Sequence, residues 1–262
     1  MTNKWLKVAL MVTAIATGTS IKIDAETVLY VPQDDRPVSL QYTVDTAREA
    51  GMTVLTPPQH LISGKTYQGQ ADQIMAWVEQ NAGRADVMVL STDTLIYGGL
   101  VDSRKHNIPL STLQNRLKRI EGLKARNKNV RIYGFGTVMR SPRASGGGTE
   151  PAYYAEYGPT IFQIAALQDK LDSGSLTQEE TQKMMSLQAS VPVEYLQDWF
   201  DRRQKNMKIN KELIDETRSG VFDYFALGHD DTSQLSQSAL EGRYLNKYSK
   251  DISAEKYGSF PG

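Results

Sequence analysis

Two pairs of adjacent carboxylates stand in this chain, Asp34-Asp35 in "VPQDDRPVSL" and Asp230-Asp231 in "GHDDTSQ". Like charges side by side repel, so a doublet calls for a cation, a shared proton or a substrate to hold it. Asp93 in "STDTLIYGGLVDSR" adds a fifth carboxylate. Arg36, Arg104 and Arg140 would either clamp an anionic group bidentately or neutralise the aspartates in a structural network. His229, one of three histidines, adjoins the second doublet. A histidine there serves as general acid or base, as a metal ligand, or, more commonly, as a packed and hydrogen-bonded strand-end residue.

Three chemistries fit this set. Paired carboxylates are enough for glycoside hydrolysis, one protonating the leaving oxygen while the other attacks carbon or activates water. In glycosidases acting on N-acetylated amino sugars, one of two adjacent aspartates polarises the acetamido group and its neighbour donates the proton. Asp34, Asp35, Asp93 and Asp230 with His229 are also hard ligands suited to Mg²⁺, Ca²⁺ or Mn²⁺. A polar rim with three arginines would also hold a sugar or an acid without turning it over. A plainer reading remains: Asp34 or Asp35 caps a helix starting near Val38, with Pro37 in its first turn, and Asp231 or Thr232 caps a later one. A cap accounts for one carboxylate of each doublet and leaves the other.

The elements that must carry these residues read as alternating strands and helices, the pattern of a parallel sheet covered by helices. Strands are expected over Thr27 to Pro32, Thr53 to Thr56, Asp86 to Ser91, Val130 to Gly136 and Phe222 to Gly228. Apolar residues at helical spacing mark Val38 to Ala50, Ala71 to Asn81 and Leu110 to Ala125, and a further helix runs near Leu235 to Tyr248. Residues 153 to 220 form a mostly helical insert, in which Thr177 and Glu180 have the spacing of a capping box. No further β-α unit is evident in the closing "KYGSFPG". The expected fold is therefore α/β with parallel β-α units and a helical insert, a partial β/α barrel being preferred to an open doubly wound sheet. Ligands of such sheets bind at the carboxyl ends of the strands, and the aspartates, arginines and His229 all follow strands there. Tyr97, Tyr153 and Tyr154 would supply sugar-stacking rings, or else pack in the core. Gly98 and Gly99 point to close backbone approach by a ligand or a neighbouring segment.

Thirty Lys and Arg balance thirty Asp and Glu. No global field therefore draws the protein to nucleic acid or an acidic membrane, and recognition must be local. There is no cysteine, hence no disulfide framework and no thiol nucleophile. The triple glycine in "SPRASGGGTEP" is followed by no Lys-Ser/Thr, and no glycine fingerprint opens a helix after the first strand, so nucleotide-binding motifs are absent. Lys4 and Lys7 precede an apolar stretch from Val8 to Ala16, which reads as a secretory signal peptide over residues 1 to 25. That stretch is shorter than the roughly 18 residues a membrane span requires. A secreted or periplasmic protein is expected, with residues 26 to 262 as one domain and no stable membrane insertion.

The ordered segments "PQDDRPV", "STDTLIYGGLVDSR", "YGFGTVMR", "EPAYYAEYG", "RRQKNMKIN" and "LGHDDTSQ" resemble the signatures of a large bacterial family known only as a domain of unknown function. Two departures stand out: Gln33 occupies the place of a usual leucine, and Arg202-Arg203-Gln204-Lys205-Asn206 replaces a tighter Arg-x-Arg-Asn. The resemblance implies that this chain is an N-terminal half of a longer protein that continues with another acidic pair. It supplies no activity. From the residues, the leading expectation is an exported hydrolase acting on a carbohydrate, with Asp230 and Asp231 as acid and base. Asp34, Asp35, Arg36, Asp93, Tyr97, Arg104, Arg140 and His229 would then bind a small-molecule or glycan substrate, with no cofactor other than a possible divalent cation. A metal-dependent hydrolase or phosphoesterase and a non-catalytic binding protein are the alternatives.

Overall fold

A computed structural model of the protein describes residues 25–145, 147–230 and 233–260. Among them, six strands form one wholly parallel sheet: β1 (Thr27–Val31), β2 (Thr53–Leu55), β3 (Val87–Ser91), β4 (Arg131–Val138), β5 (Tyr224–His229) and β6 (Tyr257–Phe260). The first five fall where the short apolar runs placed them. β6 lies within "KYGSFPG", where no further unit was expected. Four residues that include Gly258 and Ser259 give no periodic signal, and pairing with β5 is what makes them a strand.

The strands lie in the order β2-β1-β3-β4-β5-β6. β1 thus sits between β2 and β3, so the order reverses there, as at the switch point of a doubly wound sheet; a β/α barrel keeps neighbours in sequence. At such a point the loops leaving β1 and β3 part to opposite sides and open a crevice above the carboxyl ends.

The helices are α1 (Gln41–Glu49), α2 (Ala71–Asn81), α3 (Thr92–Tyr97), α4 (Leu100–Lys105), α5 (Leu110–Arg126), α6 (Tyr154–Asp172), α7 (Gln178–Ala189), α8 (Val193–Ser219) and α9 (Gln237–Tyr248). α1 packs on β2, whereas α2, α5, α8 and α9 contact one another in series and form one layer. Under that layer lies the main core, including Leu29, Val31, Met88, Leu90 and Ile132 of the sheet with Ile74, Leu113, Leu117, Ile120 and Leu213 of the helices. The leucine and isoleucine face read from α5 is buried as its spacing requires. Between β4 and β5, α6 to α8 form the expected helical insert. They build a second, smaller core from Met139, Tyr154, Ile161, Ile164, Val191 and Trp199. At 27 residues, or roughly 40 Å at the usual rise, α8 is long enough to belong to both. Thr177 and Glu180 close the capping box of α7, with Glu180 N–H donating to Thr177 Oγ1 at 3.1 Å and Thr177 N–H to Glu180 Oε2 at 3.1 Å. Among the described residues, no helix is long and apolar enough to cross a membrane.

Candidate functional site

A cavity of about 360 Å³ opens at the carboxyl end of the sheet, lined in part by Asp34, Arg36, Lys65, Arg104, Arg140 and Asp230. That lies at the lower end of the range for small-molecule sites. Its walls come from the ends of β1, β4 and β5, from α4, and from the loop after β2, which contributes Gly64 and Lys65.

The first doublet does not cap α1. That helix starts three residues later than its apolar spacing suggested, at Gln41, and its N-cap Leu40 makes no side-chain capping bond. Asp34 is buried and binds Arg36 twice, accepting from the backbone N–H at 3.2 Å and from Nε at 2.8 Å. Asp35 turns away from the cavity and accepts from the Tyr67 hydroxyl. The two neighbours therefore relieve their repulsion by taking different partners. In the second doublet, Asp230 lines the cavity and is ion-paired with Arg104; Asp231 lies outside the described residues. α9 is capped by Ser236, whose Oγ accepts from Ala239 N–H at 3.1 Å, so that helix's N-cap is neither Asp231 nor Thr232.

The Arg104 side chain is 5% exposed and that of Asp230 is 31% exposed. Burial pulls the Arg104 guanidinium below its usual range, and nearby Arg140 adds to this, while Asp230 and Glu150 oppose it. Among the described residues, the buried Arg104 Nε has no hydrogen-bond partner. On the facing wall, Arg140 donates from Nε to Glu150 Oε1 at 2.7 Å and from a terminal nitrogen to Thr149 Oγ1 at 2.7 Å. Arg36 is held above its usual range, first by its bond to Asp34 and then by the charges of Asp34, Asp230 and Asp35. His229 donates to or accepts from Ser259 Oγ at 2.9 Å, and burial lowers its pKa.

Asp93 is not on the cavity wall. It lies beneath the floor, accepting from Gln33 Nε2 at 2.9 Å and Thr137 Oγ1 at 2.8 Å, and both of those residues do line the cavity. Burial pushes its carboxyl up from 3.8 to about 6, with the bonds from Gln33 and Thr137 opposing. Because the folded pKa lies above the unfolded one, the native state binds the proton more tightly. Stability from this group is full below about pH 4 and is lost as pH rises through about 6, a loss on the order of 3 kcal/mol. Asp93→Asn is expected to remove it: urea unfolding at pH 4 and pH 7 should give a pH-dependent change 2–3 kcal/mol (~) more favourable to high pH in the variant than in the parent chain. Superimposable profiles for the two proteins would assign the titration elsewhere.

Tyr97, Tyr153 and Tyr154 pack in or against the two cores and do not line the cavity. Tyr97 is buried in the main core against His106, with ring centroids 4.9 Å apart. Tyr154 is buried on Trp199, and Tyr153 stacks on Tyr195, both in the second core. Among the described residues the buried Tyr97 hydroxyl has no partner, which costs free energy that phenylalanine would not. Tyr97→Phe should therefore raise stability by up to about 1 kcal/mol, read as a higher melting temperature; a marked drop would reveal a partner for the hydroxyl.

The glycines that follow serve packing between segments. Gly98 has φ +112°, and a Cβ there would sit 2.8 Å from the Gly69 carbonyl oxygen; one on Gly99 would fall on the Ser63 hydroxyl. This close approach lets the loop after β2 dock on α4, with Gly69 N–H donating to Asp102 Oδ2 at 3.0 Å, and so brings Lys65 to the cavity.

Sequence reading did not single out Lys65, Thr137, Thr149 or Glu150, nor the role of α8. Glu150 was visible in "EPAYYAEYG", but without a strand end to mark it. On α8, Arg202, Arg203, Asn206 and Asn210 are buried along one face. Arg203 donates to the carbonyls of Arg140 at 2.9 Å and Met139 at 2.7 Å and forms an ion pair with Glu241 at 2.8 Å. Asn206 Nδ2 donates to the Ser103 carbonyl at 2.8 Å, and its Oδ1 meets His106 Nε2 at 2.8 Å. One helix face thus holds the backbone on either side of Arg104 and at Arg140. Among the described residues, no three His, Asp or Glu side chains come together so as to hold a metal ion.

The sequence matches the family described as protein of unknown function (DUF4127) over residues 28–262. Comparison with curated proteins and with solved structures gives no match. The chain belongs to the DUF4127 family.

Proposed function

We propose that this member of the DUF4127 family is a hydrolase acting on a carbohydrate, with its reaction in the cavity above β1, β4 and β5. The observation that carries the reading is the Asp230 carboxylate, held at the cavity wall by the buried guanidinium of Arg104. A carboxylate paired with a guanidinium in this way suits the half of glycoside hydrolysis that attacks the anomeric carbon or takes a proton from water. The other half, protonation of the leaving oxygen, falls in this reading to Asp231, the next residue in the chain. Asp34, Gln33 and Thr137 offer acceptors and donors for sugar hydroxyls around the same space. Export through residues 1 to 25 belongs to the same proposal and would give the enzyme access to extracytoplasmic glycans.

A second reading rests on a different feature of the same cavity. Both described carboxylates on its wall, Asp34 and Asp230, are already ion-paired to arginines, as in a site that binds and does not turn over. The two separate in one experiment: incubation of the protein with a glycan panel, following release of reducing ends beside calorimetric binding. Turnover that Asp230→Asn abolishes supports the hydrolase. Binding with no product from any glycan supports the binding protein instead.

A further inference from the structure

The floor of the cavity rests on one buried carboxylate. Asp93 is 2% exposed, and its Oδ2 takes two hydrogen bonds, from Gln33 Nε2 at 2.9 Å and from Thr137 Oγ1 at 2.8 Å. The backbone N–H of Thr137 bonds to the same carboxyl, and the charge of Arg104 favours its ionised form. With a pKa of about 6, Asp93 is a carboxylate at pH 8, and a carboxylate only accepts. The two floor residues therefore have no choice of orientation. An amide has a donor end and an acceptor end, and only the Nε2 end of Gln33 can face Asp93. A hydroxyl has one hydrogen to give, and that of Thr137 is committed downward. Gln33 and Thr137 both line the cavity, and among the described residues neither Gln33 Oε1 nor Thr137 Oγ1 accepts a hydrogen bond.

We propose that Asp93 is a positioning residue that sets what the floor recognises: it leaves Gln33 Oε1 and Thr137 Oγ1 to the cavity as acceptors, and a pair of neighbouring ring hydroxyls on the ligand donates to them. Because both floor residues converge on one oxygen of Asp93, their free acceptors stand side by side, as neighbouring hydroxyls do. The rest of the space is lined by Arg36, Lys65, Arg104 and Arg140, which only donate. An oxyanion would meet the floor acceptor to acceptor, and an ammonium would meet the basic residues donor to donor. A hydroxyl gives one hydrogen bond and takes others, so it satisfies both. This deepens the carbohydrate reading given above and rests on it for the sugar ring, but not for turnover. Asparagine at position 93 would undo the arrangement, since its amide accepts at one end and donates at the other. It would turn either Gln33 or Thr137 around, so that one floor acceptor becomes a donor.

The test is titration of the protein at pH 8, followed by NMR, with D-glucose, D-galactose and D-mannose and with the deoxyfluoro derivative of each at every ring hydroxyl. Fluorine keeps the size and polarity of the hydroxyl but cannot donate. For at least one parent sugar, fluorine at either of two neighbouring positions should weaken binding about 10-fold or more, as an acceptor left unmet requires. In Asp93→Asn that loss should shrink to about 3-fold or less at one of the two positions. Thr137→Val should erase the loss at one position and Thr137→Ser should restore it, with melting temperatures confirming that each variant is folded. Without any ligand, the side-chain amide signal that Gln33→Leu removes should exchange slowly with solvent in the parent protein and rapidly in Asp93→Asn. No binding of any parent sugar, equal binding of hydroxyl and fluoro sugars, discrimination unchanged by Asp93→Asn, or a freely exchanging Gln33 amide in the parent would each overturn the proposal. Hydroxyl-selective binding that Asp93→Asn relaxes, with no glycan hydrolysed, would sink the hydrolase and leave this inference standing. Hydrolysis of a glycan beside equal binding of hydroxyl and fluoro sugars would do the reverse.

Discussion

Asp230→Asn is expected to lower kcat on a glycan substrate by about 10²–10⁴-fold, the usual contribution of a positioned carboxylate in acid-base catalysis, while substrate affinity changes by only a few-fold. Asparagine keeps the shape of the side chain and can still accept a bond from Arg104, so the wall of the cavity should persist. What it loses is the negative charge that would attack carbon or accept a proton from water. Melting temperature and circular dichroism should confirm that the variant is folded, which is reasonable for a side chain 31% exposed. Asp34→Asn is the natural comparison. Asp34 is buried and locked to the backbone and guanidinium of Arg36, so its loss should raise KM and leave kcat within a few-fold. Full turnover in Asp230→Asn would remove Asp230 from the reacting centre and with it the hydrolase reading as stated.

Arg203→Met should destabilise the fold by about 3–5 kcal/mol, the range for removing one partner of a buried ion pair. The Arg203 side chain is 1% exposed and that of Glu241 10%. The substitution strands the Glu241 carboxylate in a dry setting and takes the donor from the Arg140 carbonyl. The Met139 carbonyl suffers less, because Ser238 Oγ also donates to it at 2.7 Å. Packing of the guanidinium over Trp199, 5.3 Å from the ring centroid, is lost too. Urea unfolding of Arg203→Met beside the double variant Arg203→Met/Glu241→Met separates the causes. Replacing both charges with apolar groups of similar size is often close to neutral, so the double variant should regain most of the stability. It should still bind its ligand more weakly than the parent, because the backbone of Arg140 has lost its anchor on α8. Recovery of both stability and binding in the double variant would show that α8 does not position Arg140.

The two effects lie at opposite ends of one construction. Asp230 and Arg104 meet at the cavity wall, and the buried polar face of α8 fixes the segments that carry Arg104 and Arg140. Buried hydrogen-bonded arginines on an insert helix make little sense as core packing alone, since apolar residues would fill that space at less desolvation cost. Their use is to hold irregular backbone, whose carbonyls have no strand or helix partner, in one conformation.

Much of this was legible in the chain. Periodicity is a local property: alternating apolar runs and helical spacing define strands and helices from neighbouring residues, which is why five strands, α2, α5 and the capping box at Thr177 appeared at nearly their observed places. That polar residues follow strands also located the site in outline, because parallel sheets bind ligands at their carboxyl ends. Asp34, Arg36, Arg104, Arg140, His229 and Asp230 do share one cavity.

What the sequence could not decide was pairing between residues far apart in the chain. Asp230 lies 126 residues from Arg104, and nothing local marks them as an ion pair. No pattern along the chain shows that Asp35 faces Tyr67 while Asp34 faces Arg36, that Asp93 lies under the floor, or that Gly98 and Gly99 receive the loop carrying Lys65. The strand order has the same origin: β1 comes first in the chain but lies second from the edge of the sheet, and only packing inserts it between β2 and β3. Composition and spacing determined the elements and the end of the sheet where charge collects, because those depend on near neighbours. The tertiary structure alone decided which charges pair with which, because that depends on contacts made only when the strands and α8 come together.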